Sequence, residues 1–296
     1  MRTFAWCSLA FLAGCACASE SGIEAARAAV RAGRLAEAEH LLQTAIATSP
    51  QSPDLQLELG RVMMLEQQFE PAVEALGKAV QLNPDSLECN MALAEALLQW
   101  RHFPVAIQFL EAIEGKFAGT PEFQYNLGLA HFSVRHPDIA LPHFLEAVRL
   151  RPDFDKAQFF VAACHATKGS VSEAIKEYRA LVKRRPDNPA YWLALAQVLD
   201  SEGQENRKEA VAACQRALAL RPSDAGAQFE LAALLTKSGE LKSARPLLER
   251  LVAAQPNVLP AHVLLSKVYF RLGLKELAQR ENAIVRELQA RGTPAQ

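Results

Sequence analysis

The side chains able to do chemistry in this 296-residue chain are few and dispersed. His131 and His165 stand 34 residues apart with Cys164 beside the second, and His/His/Cys is a donor set that suits zinc. The short ligand-to-ligand spacing of a zinc motif is missing, so packed core histidines are the better reading. His102 and His136, also 34 apart, fall in turn-like sequence and read as solvated. Cys89, Cys164 and Cys214 lie where small apolar residues are usual, and buried thiols account for them without a disulfide framework. There is no Gly-rich phosphate loop, no H-E-x-x-H and no G-x-S-x-G. Nothing here reads as catalytic, and neither a metal nor a cofactor is expected.

Charge adds little. A formal net charge of −1 provides no global field to attract nucleic acid or an acidic membrane. The basic clusters Arg149/Arg151, Lys183-Arg184-Arg185 and Arg216/Arg221 fall near the ends of helical patterns, where cations complement the helix dipole. A phosphate-binding patch is the alternative.

The elements that must carry these residues are clearest from Pro121 to Phe154. Phe123, Leu127, Ala130 and His131 share one helical face, and Gly128 marks a place where a neighbouring backbone comes close. The pattern breaks at Arg135-His136-Pro137 and resumes with Ile139, Ala140, Phe144, Ala147 and Val148 before Pro152 stops it. This helix–turn–helix recurs. A small residue of the second helix falls at Ala38, Ala72, Ala106, Ala140 and Ala174 in steps of 34, then after a two-residue insertion at Ala210, Ala244 and Ala278. A first-helix counterpart falls at Ala26, Gly60, Ala94, Gly128, Ala162, Ala196, Ala232 and Ser266. Stop prolines fall at Pro50, Pro84, Pro152, Pro186, Pro222 and Pro256.

This pattern resembles the tetratricopeptide repeat, with Leu59-Gly60, Tyr178, Trp192 and Leu195 keeping parts of the family signature. The resemblance implies an all-α fold, a right-handed α-solenoid of about eight repeats. They span 19–52, 53–86, 87–120, 121–154, 155–188, 189–224, 225–258 and 259–292, with a tail at 293–296. Each repeat packs on its neighbours, so no central core limits the length. His131 and His165 occupy a place where the family carries a packed aromatic. Repeat three ends in Glu114-Gly115-Lys116-Phe117-Ala118-Gly119 instead of the stop proline, which marks a hinge or a plain loop variation. The insertion within Glu202–Glu209 reads as a solvated turn, and Glu276–Arg291 as a polar cap on the last repeat.

Residues 1–18 form one Arg, an apolar run from Phe4 to Ala13 and a small-residue region, the order of a secretory signal. Ala16-Cys17-Ala18 before Ser19 suits ordinary release. Leu12-Ala13-Gly14-Cys15 resembles the lipobox of bacterial lipoproteins, which makes Cys15 the candidate lipidation site. Both cleavages stay open. Either leads to an exported protein, released to the periplasm or held at the outer membrane as a lipoprotein, the lipid of the second case being the only membrane contact expected.

A site has to come from the surface, because the scaffold alone specifies no function. The resemblance implies that first helices line a concave face and that the fifth residue of each repeat points into it. Those residues are Ile23, Leu57, Met91, Tyr125, Phe159, Leu193, Phe229 and Val263, all apolar, joined at the twelfth position by Met64, Leu98, Phe132 and Phe270. Leu57, Met91, Leu98, Tyr125, Phe132 and Phe159 form the candidate groove for a protein or an apolar peptide segment, with ordinary helix packing as the alternative. The carboxylate clamp of chaperone-binding relatives is absent: the matching positions hold Leu57, Arg61, Ala92, Glu122 and Asn126. The expectation is a non-catalytic scaffold of the bacterial cell envelope, acting in assembly of a complex such as a pilus or secretion system. The alternative is a soluble periplasmic regulatory or adaptor subunit of an enzyme system.

Overall fold

The computed structural model describes residues 20–292, so the leader reading, Cys15 included, and the tail lie outside the described residues. The described chain is helical throughout. Helix α1 spans 20–31. It is followed by α2 Leu35–Thr48, α3 Pro53–Leu65, α4 Phe69–Leu82, α5 Leu87–Gln99, α6 Phe103–Phe117, α7 Pro121–Ser133, α8 Pro137–Leu150 and α9 Asp155–Thr167. Then come α10 Val171–Arg184, α11 Pro189–Glu202, α12 Arg207–Leu220, α13 Ala225–Lys237, α14 Leu241–Ala254, α15 Leu259–Arg271 and α16 Lys275–Gly292. Two compact units divide between Ala157 and Gln158. In the first, α2 to α7 each pack on the next helix and α7 pairs with α8, while the odd helices α3, α5 and α7 also touch one another. The second unit repeats this from α10 to α16, with α11, α13 and α15 forming the touching series.

The register follows from what each position must do. All sixteen small residues of the two series are buried. At Gly60 a Cβ would lie 2.5 Å from Leu76 Cγ, and at Gly128 it would lie 3.0 Å from the Phe144 ring. A larger residue at Gly60 would make Leu76 shift, and at Gly128 the Phe144 ring would have to give way slightly. The turn joining the helices of a repeat needs one left-handed residue, supplied by Gly33, Gly169, Gly239 and Gly273 and, without glycine, by Gln67, Arg101 and Arg135.

A second device closes the joint between repeats. The carbonyls of the loop that follows each second helix need partners outside the helical ladder. Here a side chain donates back across six residues: Asn90 to Pro84 O at 3.1 Å, Trp192 to Pro186 O at 2.9 Å, Gln228 to Pro222 O at 2.7 Å and His262 to Pro256 O at 2.9 Å. Where repeat three lacks the proline, Gln124 donates to Ala118 O at 2.8 Å instead.

That joint corrects the hinge reading. Gly115 lies inside α6, which runs to Phe117, and the Phe117 side chain is buried with Leu110, Phe123 and Leu127. Thr120 Oγ1 donates to Phe117 O at 2.8 Å and ties the turn. A buried aromatic anchor does here what the proline does elsewhere. The insertion in repeat six forms a short turn between α11 and α12, with Gly203 at φ 142° and Gln204 and Glu205 exposed. At the C-terminal end the polar residues of α16 face polar partners on α15: His262 Nδ1 and Glu281 Oε2 are 2.6 Å apart, and Ser266 Oγ donates to Asn282 Oδ1 at 2.8 Å. No helix among the described residues is long and apolar enough to cross a membrane.

Candidate functional site

The odd helices of the first unit carry two concavities. The larger, about 550 Å³, is built from α3, α5 and α7 with one residue of α4. Met64, Leu76, Met91 and Ala92 make its apolar surface, and Arg61, Glu88, Glu95 and Glu122 supply its charges. Leu65 also lines it and is 58% exposed. The smaller, about 360 Å³, lies against α1, α3 and α5, with Ile23 and Leu57 among Glu20, Glu24, Arg27, Asp54, Glu58 and Glu88. The two share Glu88 and therefore adjoin.

An ionic ladder runs along both. Arg27 binds Glu24 at 3.3 Å and Glu58 at 2.8 Å, and Arg61 binds Glu58 at 3.1 Å and Glu88 at 2.7 Å. It crosses α1, α3 and α5 in one row through Glu58, which both arginines share. On the far side Arg151 binds Glu122 at 2.6 Å and lies 4.1 Å from the Phe154 ring centroid. Glu95 is exposed and makes no ion pair among the described residues. Although the residue is open to solvent, partial desolvation by the neighbouring wall of the concavity pushes its carboxyl up, opposed by Lys156 and Arg61 and reinforced by Glu122.

The structure spreads the six candidate groove residues over different roles. Met91 and Leu57 are buried and reach the larger and the smaller concavity respectively. Leu98 is buried within α5 and belongs to helix packing. Tyr125 and Phe132, each half-buried, meet through Phe144 of α8, with ring centroids 6.0 and 6.4 Å away. Phe159, in the second unit, packs against Tyr178 at 5.4 Å and Tyr191 at 5.7 Å. Sequence reasoning passed over Leu65, Glu88 and Glu95. Their signal was helical spacing: Met91 and Glu95 are four apart on α5, as Arg61 and Leu65 are on α3.

The groups with other chemical potential are engaged in packing. His131 is buried and stacks on His143 at 5.9 Å between centroids. His143 Nδ1 lies 2.8 Å from Gln124 Oε1, and because the Gln124 amide nitrogen is spent on Ala118 O, that ring nitrogen carries the proton. Burial lowers both histidine pKa values, His136 adding to the effect at His131 and His131 at His143. Cys89, Cys164 and Cys214 are buried, and burial pushes the Cys214 thiol up to about 12. No three His, Cys, Asp or Glu side chains among the described residues are grouped to hold a metal.

Sequence models of the tetratricopeptide repeat match residues 29–78, 63–127 and 203–268, and a second such model matches 125–189 and 168–205. Together they run without a gap from residue 29 to residue 268. The chain is 24% identical over 225 residues to the human protein O-mannosyl-transferase TMTC3, covering 73% of this chain and 24% of that protein. It is 25% identical over 238 residues to rice DnaJ protein P58IPK homolog A, covering 71% and 48%. The chain thus spans about half or less of these relatives' lengths. Among solved structures, a tetratricopeptide repeat protein of Parabacteroides merdae superposes with a TM-score of 0.67 at 15% identity, covering 85% of this chain and 98% of that one. Pseudomonas aeruginosa pilF superposes with a TM-score of 0.61 at 19% identity, covering 73% and 97%.

Proposed function

Because the chain belongs to the tetratricopeptide repeat family, we propose that it is a non-catalytic protein-binding scaffold whose odd-helix face receives a segment of a partner protein. The observation that carries this reading is the concavity of about 550 Å³ lined by Met64, Met91, Leu76 and the exposed Leu65. Its size falls in the usual range of binding pockets, roughly 300–1,000 Å³. Methionine side chains adapt to irregular apolar shapes, and an aliphatic side chain left in water gains by being covered. Leu65→Glu should therefore abolish partner capture by the immobilised protein. Leu145→Glu, on the outer helix α8, should leave capture intact. Equal effects of the two would reject the site.

We further propose that the scaffold works in the bacterial cell envelope, exported and held by a lipid on Cys15, in assembly of a complex such as a pilus or secretion system. The support is the charge–apolar–small order of residues 1–18 and the run Leu12-Ala13-Gly14-Cys15. Replacing Cys15 by Ser should release the protein from the membrane fraction. Retention of that variant with membranes would sink the anchor.

A further inference from the structure

We propose that the odd-helix face of the first unit selects a basic, apolar segment: a peptide of a partner protein in which an apolar side chain stands next to a lysine or arginine, the cation seated against Glu95. This rests on the reading of that face as a peptide groove.

The chain as a whole carries a net charge of −1, yet these two concavities are strongly one-sided. The larger presents Glu88, Glu95 and Glu122 against Arg61 alone. The smaller presents Glu20, Glu24, Asp54, Glu58 and Glu88 against Arg27 alone. Both arginines are already paired, Arg27 with Glu24 and Glu58, Arg61 with Glu58 and Glu88, so their charge is offset within the ladder. Glu122 is satisfied by Arg151. In the larger concavity Glu95 is the charge left over among the described residues. It stands on α5 one helical turn after Met91, beside the apolar surface. A ligand cation would pair with this open carboxylate while its neighbouring apolar side chain enters among Met64, Leu76 and Met91. The shared Glu88 extends the acidic strip into the smaller concavity, so a second basic residue along the segment would find carboxylates too. Low-dielectric walls of one sign also raise the local concentration of an oppositely charged partner.

The test is to pan the whole protein against a display library of random peptides of fixed length. Enriched peptides should pair Lys or Arg with Leu, Met or Phe. A synthetic winner should lose about tenfold in affinity to Glu95→Gln, the loss of one charge-assisted contact, and should weaken as salt is raised. Panning on Glu95→Lys should shift enrichment to Asp or Glu. Glu95 is exposed and unpaired, so Glu95→Gln should unfold thermally with the parent, and the salt titration of the parent reports on the charge without any variant. Winners lacking basic residues and indifferent to Glu95→Gln, but lost on Leu65→Glu, would overturn the selectivity and leave the groove standing. Winners indifferent to both substitutions, or no winners, would overturn selectivity and groove together.

Discussion

At the scale of single residues the repeat is a set of steric decisions, and glycine shows them most sharply. Gly60 and Gly77 both lie inside helices, α3 and α4, where replacing Gly by Ala ordinarily gains about 0.5–1 kcal/mol. A Cβ at Gly77 would meet open space, whereas at Gly60 it would press on the buried Leu76 at 2.5 Å and on Ala72 O at 3.2 Å. Gly77→Ala should therefore raise thermal stability and Gly60→Ala should lower it, by roughly 1–3 kcal/mol before the helix gain is subtracted. A calorimetric pair of the two variants checks the sign. The same scale explains what the sequence hid. The left-handed turn position recurs at residues 33, 67, 101, 135, 169, 239 and 273, but three of the seven are Gln or Arg, so no glycine pattern announces it. Their strain is recoverable: Gln67→Gly should stabilise by about 1 kcal/mol, seen as a higher urea midpoint with an unchanged slope.

At the scale of helices, α7 and α8 are joined by a buried polar chain, Ala118 O to Gln124 to His143, with His131 stacked beside it. Gln124→Leu removes both partners at once and should cost about 2 kcal/mol, because buried groups left without hydrogen bonds cost about 1–3 kcal/mol. Chemical denaturation of that variant measures it. The histidines add a pH term whose sign is fixed by their lowered pKa values. Burial is the largest cause at each, and Glu111 and Glu114 act in the opposite direction. The unfolded chain then takes up protons first, near pH ~6.5. The stability held above that pH is lost as pH falls through the folded values. Between about pH 7.5 and pH 5.5 the parent should lose more melting temperature than a His131→Gln/His143→Gln variant, which cannot titrate there. Equal losses would remove these two groups as the cause. The donors that close each repeat were not legible as a motif, since Asn90, Gln124, Trp192, Gln228 and His262 share only an N–H.

At the scale of the molecule the helix pairs were legible because each repeat solves the same packing problem with the same small residues at the same spacing. The site was less so. Tyr125, Phe132 and Leu98 satisfy the spacing of a groove but serve helix packing, because apolar periodicity marks a buried face without saying what buries it. The concavity depends on Leu65, Glu88 and Glu95 from two different repeats, whose meeting is a property of stacking. What the account claims above all is that this odd-helix face, and not the outer helices, receives the partner. The direct measurement places a photo-crosslinking amino acid at Leu65 or at Leu145, which are 58% and 48% exposed, in cells that make the protein. The account predicts a discrete partner adduct from position 65 and none from position 145. An adduct from 145 with none from 65 would contradict it.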